Sequence, residues 1–274
     1  MTVIINAYKD DSPFGAESGA GARARSDIRA KSVRAMLLSS ELERARLNKG
    51  LTTRDLAALL GTSPARVNRT TNGRRIPALA EVAEMCAILD VPHVRRQHLY
   101  NLASQTEEAN WLIHSIAGEP DPGGVVRSLW SLADRVLTYT TTASGPRVLG
   151  NANIATEAEI PGRNGSLRWT HFMPAHVLSL PLDGRGKRLR RLAHLDVIQI
   201  VPIHAPLLLR HPIQIFTFRR CLPVAVCDLE STIVVLEGRH ATEYVSRMEY
   251  IQQNALPVRE SRRLVEGAWG PLDL

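Results

Sequence analysis

The chain has 274 residues, 44% of them hydrophobic, enough to bury a sizeable core in one or two domains. A formal charge of +7 and an isoelectric point near 9.8 favour a polyanionic partner without dictating a fold. No run approaches the ~18 to 20 uninterrupted apolar residues of a membrane-crossing helix, so no membrane partner is expected.

Cys86, Cys221 and Cys227 are an odd number of thiols for a chain of this size, and no basic start leads into an apolar export signal. A reducing cytoplasm is the expected setting. Thirty arginines stand against four lysines. Guanidinium groups suit phosphate and guanine contacts, and codon usage in a GC-rich genome yields the same bias.

Residues 1–30, rich in Gly, Ala and Ser with Arg23, Arg25 and Arg29 among them, predict a flexible basic arm. From Lys31 to about Ala117 dense helical periodicity predicts a bundle, and Gly118 to Gly124 (GEPDPGG) reads as a linker to a second domain over residues 125–274.

Inside the bundle each break has a local reason. Gly50 stops a first helix that carries Leu42, Ala45 and Arg46. Thr52 then caps a second, with Asp55 as its capping-box partner. Leu56, Ala57, Leu59 and Leu60 give that helix an apolar side, and Gly61 stands where a sharp turn between crossed helices needs positive φ. Ser63 and Pro64 suit the N-cap and first position of a third helix, which runs to about Thr71 before Asn72-Gly73 ends it. Val67 points inward. Ala65, Arg66, Asn68 and Arg69 are thereby left to approach a groove, where Arg can bridge O6 and N7 of guanine and Asn can bridge N6 and N7 of adenine. Leu79, Val82, Ala83, Cys86, Ala87 and Leu89 predict a fourth, packing helix with Cys86 in the core.

Between Asp55 and Glu81 there is no acidic residue, yet Arg66, Arg69, Arg74 and Arg75 all fall there. A phosphate backbone should meet no repulsion. Arg74, Arg75 and the N-terminal amides of the second and third helices are placed for phosphate contacts.

After a helix expected at Val125 to Leu137, β-rich runs fall at Leu167 to Phe172, Val197 to Val201, Ile213 to Phe218, Val224 to Asp228 and Ile233 to Leu236. Gly186 to His194 reads as a short helix and Ala241 to Ala255 as a longer amphipathic one. The fold class is a helical DNA-binding head followed by an α+β domain.

Leu51-Thr52, Leu56-Ala57, Gly61, Val67 and Asn72-Gly73-Arg74 resemble the Xre, lambda-repressor-like helix-turn-helix pattern over about fifty residues. The resemblance implies a DNA-binding transcription regulator, a repressor among its possible modes. It puts Thr53 where such heads often place Gln, Ser63 to Arg66 where the third helix enters the major groove, and Arg69 one turn later. Thr70 and Thr71 depart from the usual apolar-acidic pair. His98 to Ala103, Leu132 to Tyr139, Leu192 to Pro202, Ile215 to Phe218 and Val234 to Glu237 resemble a group of regulators of high-GC Gram-positive bacteria with an antitoxin-like C-terminal domain. Tyr139 to Ile160 departs from that group's pattern. The resemblance implies that the second domain is a small-molecule sensor, a partner-protein surface or simply a dimerisation module. Helix-turn-helix heads commonly act in pairs on half-sites, so a homodimer on duplex DNA with a second domain for dimerisation and sensing is expected; the alternative is an antitoxin that neutralises a small partner and regulates its own operon.

No enzyme, cofactor or metal is expected. Gly184 to Lys187 hints at a phosphate loop, but residue 181 is Pro where such a loop needs Gly, and no Ser or Thr follows Lys187. Cys221 and Cys227 lack paired C-x-x-C spacing, and His171, His176, His204 and His211 sit in no zinc-binding frame. Lys187, Arg188, Arg190 and Arg191 read as a solvated helix face, with a second nucleic-acid patch as the alternative.

Overall fold

The computed structural model describes residues 32–104, 110–114, 122–141, 167–180, 197–205, 209–219, 221–229 and 232–269. The basic arm, the helix expected at Gly186 to His194 with its run Lys187 to Arg191, and nearly all of Tyr139 to Ile160 lie outside them.

Among the described residues five helices come first: α1 (Val33–Asn48), α2 (Thr53–Leu59), α3 (Pro64–Thr71), α4 (Leu79–Ile88) and α5 (His93–Ser104). The boundaries of the first three follow from local chemistry. The Ser32 hydroxyl accepts the Ala35 amide at the start of α1. Thr52 and Asp55 form a complete capping box on α2: the Asp55 amide donates to Thr52 Oγ1 at 3.1 Å and the Thr52 amide to Asp55 Oδ2 at 2.8 Å. Gly61 turns the chain at φ 59° and Gly73 closes α3 at φ 75°, conformations that a Cβ disfavours. Leu37, Leu38 and Leu42 of α1 meet Leu56, Val67, Val82, Cys86, Leu99 and Leu102 in the core. Burial of each large side chain there contributes about 1.5 to 3 kcal/mol.

The second unit is a seven-stranded mixed sheet: β1 (Asn110–His114), β2 (Arg135–Tyr139), β3 (Arg168–Pro174), β4 (Ile198–Val201), β5 (Ile213–Thr217), β6 (Val224–Leu229) and β7 (Thr232–Leu236). Its order is β1-β7-β6-β5-β2-β3-β4. β2–β3 and β3–β4 are parallel and the remaining pairs antiparallel. Strand alternation gives the sheet two apolar faces. Val136, Phe216, Val224 and Val226 share a cluster with Val125, Leu129 and Trp130 of α6 (Pro122–Leu132). Leu137, Phe172, Ile213 and Ile215 pack with Ala241, Met248 and Ile251 of α7 (Gly238–Asn254). A last helix, α8 (Val258–Trp269), lies along β4. The fold is therefore a helical helix-turn-helix head and an α+β second unit.

Three elements differ from the sequence expectation. β1 lies inside the stretch expected to be helical and already belongs to the sheet, ahead of the expected linker. Its Trp-Leu-Ile run is too short for periodicity to separate strand from helix. The helix expected at Val125 to Leu137 is α6 followed by β2. No Gly or Pro marks the break; instead the Asp134 amide donates to the Thr217 carbonyl and its carboxylate accepts the Arg219 amide. α8 went unpredicted, although its buried Ser261, Val265 and Trp269 recur every four residues.

Head and sheet share one hydrophobic cluster. At their junction the Val33 amide, in the first turn of α1, donates to Glu237 Oε2 at 2.8 Å, and the Arg34 guanidinium lies 4.3 Å from the centroid of the Trp111 ring on β1. A carboxylate at a helix N-terminus is favourable electrostatically, and a cation over an indole adds to it.

Candidate nucleic-acid interface

α3 is built to present one face. Ser63 Oγ accepts the Arg66 amide at 3.3 Å, and Pro64 fills the first position without wasting a donor. Val67, Thr70 and Thr71 are buried, whereas Ser63, Pro64, Ala65, Arg66, Asn68 and Arg69 are exposed. The two threonines that depart from the Xre pattern pack without loss: Thr70 is 1% exposed, and its hydroxyl accepts Arg75 Nη1 at 3.2 Å.

The arginines fall into two pairs. Arg69 and Arg74 are exposed, and their guanidinium groups make no ion pair among the described residues. Arg66 and Arg75 converge on Glu81 of α4. Arg75 reaches both its carboxylate oxygens at 2.7 and 2.6 Å, and Arg66 does so at 3.3 and 3.2 Å. Hydrogen bonding from Arg75, then from Arg66, holds the Glu81 carboxyl below its ordinary range, and the hydrogen bond to Glu81 in turn raises the pKa of the Arg66 guanidinium. The surface expected to be free of acid thus has one carboxylate folded into it, because α4 brings Glu81 back against α3.

A second carboxylate also bears on the phosphate expectation. Asp55 occupies the N-terminus of α2, and its hydrogen bonds with Thr52 lower its pKa. That helix start carries a negative charge where an open amide cradle was expected. Thr53, the first residue of α2, is half-buried beside it. Arg54, one residue on, is exposed and was passed over in the sequence. It sits in no apolar periodicity that would have drawn attention to it.

Residues 37–99 match the family model of a helix-turn-helix domain. The head is a helix-turn-helix domain. This is the architecture of a DNA-binding transcription regulator, and α3 occupies the position of its second, groove-entering helix. Residues 158–267 match a domain of unknown function (DUF5753), which spans most of the sheet and reaches into α8. No curated protein and no solved structure matches the chain.

Away from α3, a cleft of about 280 Å³ between α1 and α5 is lined by Glu41, Arg44, Lys49, Asp90 and Arg95. Its charges are largely spent on one another: Arg44 and Arg95 both pair with Glu41, and Lys49 pairs with Asp90. Among the described residues no cluster of His, Cys, Asp and Glu could hold a metal ion, and no helix is long and apolar enough to cross a membrane. Burial pushes the thiols of Cys86, Cys221 and Cys227 up, the last to about 11, so none is a ready nucleophile at neutral pH.

Proposed function

We propose that the protein is a sequence-specific, Xre-type transcription regulator of the cytoplasm that binds duplex DNA as a homodimer through α3. In this reading Arg66, Asn68 and Arg69 read base edges, while Arg74 and the start of α3 at Ser63, Pro64 and Ala65 position the phosphate backbone. The observation that carries it is the single capped helix whose buried side is Val67, Thr70 and Thr71 and whose exposed side is polar and basic. Arg75 orients the turn after α3 through Glu81. Arg66, itself exposed, exchanges the half-buried Glu81 carboxylate for DNA. The second unit carries no reaction; it holds two heads together and responds to a ligand or partner protein.

Purified protein mixed with fragmented genomic DNA at physiological salt should retain a short palindromic site. Arg66→Ala should relax preference at one base pair by about 1 to 3 kcal/mol, and Arg74→Ala should weaken all sequences alike and flatten the salt slope by about one. Equal loss on specific and non-specific DNA in both variants would refute these roles. Retention of no site by the folded protein would count against the reading itself.

A further inference from the structure

The two edges of the sheet are treated differently. At one end β4 is closed: the Leu256 amide donates to the Ile200 carbonyl at 2.8 Å, and the Ile200 amide donates to Ser261 Oγ at 2.9 Å. The chain ahead of α8 and α8 itself thereby occupy that edge. At the other end β1 pairs, among the described residues, with β7 alone. Its sequence, Asn-Trp-Leu-Ile-His, contains no Lys, Arg, Asp, Glu or Pro, the residues with which proteins blunt an open edge. Leu112, at its centre, is 59% exposed beside the half-buried Val234, while Trp111 and Ile113 are buried on the opposite face. Among the described residues no other strand or loop is hydrogen-bonded along that edge.

We propose that β1 is the dimer interface, pairing antiparallel with β1 of a second copy across a two-fold axis at Leu112. This deepens the functional reading above and rests on its homodimer. The strand is self-complementary in that register: Trp111 stands opposite the partner's Ile113, an aromatic and β-branched pair of the kind that stabilises antiparallel strands. Leu112 meets its own copy, removing the exposed leucine from water. An isologous contact of this kind closes after two copies, and the edges left on the resulting sheet are the two guarded β4 strands. The axis also lies beside the head, because Arg34 at the start of α1 covers Trp111 of the same strand. Pairing β1 therefore places two α1 helices, and with them two heads, on the same side of one continuous sheet.

Leu112→Lys sets two like charges directly opposite each other. By sedimentation velocity on the full chain, it should raise the dimer dissociation constant at least tenfold, with the far-ultraviolet circular dichroism spectrum unchanged. Leu112→Cys supplies a second route: a short bismaleimide should link the variant into dimers in minutes and the parent chain, with its three native thiols, far less. A parent chain that stays monomeric at all concentrations would overturn the proposal. So would a dimer that persists in Leu112→Lys while Leu112→Cys fails to cross-link. Binding of Leu112→Lys to a single half-site duplex separates the two readings: retained half-site affinity with lost dimerisation supports the β1 interface, and parent dimers without affinity for any DNA remove the regulator reading on which it rests.

Discussion

Glu237 is the carboxylate on which the head is docked, and replacing it by Gln should remove a loss of stability that sets in as pH rises toward 7. Glu237 is 8% exposed, one oxygen accepts the Val33 amide, and the other meets no hydrogen bond of good geometry among the described residues. Burial dominates and lifts its pKa from an ordinary 4.5 to about 7; the Val33 amide, the Arg34 guanidinium and the Trp111 indole pull weakly the other way. Cys221 is the remaining titratable neighbour, and its thiol is pushed up, chiefly by burial and then by the Glu237 charge. The folded chain thus holds a proton that the unfolded chain releases. The stability this confers is fully present below about pH 4.5 and is lost as pH rises through about 7. The interval from 4.5 to about 7 corresponds to at most about 3 kcal/mol, and residual solvent screening brings it nearer 2. Gln keeps an oxygen for the Val33 amide and cannot ionise. Urea unfolding of the parent and Glu237→Gln at pH 5, 6, 7 and 8 should therefore give curves that separate by about 2 kcal/mol, with the variant favoured at the alkaline end. Effects of other titrating groups cancel in the difference. Stability curves that run parallel across the range would refute the buried-carboxylate argument.

Three further outcomes follow from the same kind of reasoning. Glu81→Gln removes the carboxylate that holds Arg66 and Arg75, so affinity for non-specific duplex should rise severalfold at low salt and the dependence on log salt should steepen, as read by fluorescence anisotropy; an unchanged slope would show that Glu81 does not compete with phosphate. His171 is fully buried, with its pKa depressed by burial to about 3, so the unfolded chain takes a proton near 6.5 that the folded chain refuses; stability should fall as pH drops from about 6.5 toward 3, and the imidazole resonances should still report the neutral ring at pH 5. Thr52→Ala should cost about 1 kcal/mol in thermal unfolding of the head, since it removes the side-chain half of the capping box on α2.

The helix-turn-helix core of the head was legible in the sequence because the boundaries of α2 and α3 are set by neighbours along the chain: Thr52 with Asp55, Ser63 with Pro64, Gly61 and Gly73. Glu81 was not legible as part of the site, since it meets Arg66 across fifteen residues and only the packing of α4 on α3 brings them together. The α4 stripe shows the same limit: Val82 and Cys86 are buried as expected, but Leu79 is 49% exposed and the core takes Met85 instead. In the second unit the apolar runs gave β3 to β7 within a few residues. The junction between α6 and β2 escaped because its stop signal is a tertiary hydrogen bond from Asp134 to β5. β1 escaped because a five-residue strand carries too little pattern to outweigh its helical surroundings. The polar row Gln214, Thr138 and His171 was also hidden: three residues far apart in sequence share one sheet face. Trp130 and Trp169 donate to Gln214 and Thr138 there, and Thr138 Oγ1 lies 2.8 Å from His171 Nδ1.

All four tryptophans, Trp111, Trp130, Trp169 and Trp269, lie in the second unit and are at most 9% exposed, and the helix-turn-helix head has none. The head is therefore optically silent in the indole band, while Trp111, stacked beneath Arg34, stands at the seam with it. Indole emission excited at long wavelength reports the second unit, its sheet and the helices α6 and α8 packed on it, together with that seam. A change in it on adding DNA would mean that the event at α3 had travelled the length of the head and disturbed the seat of α1.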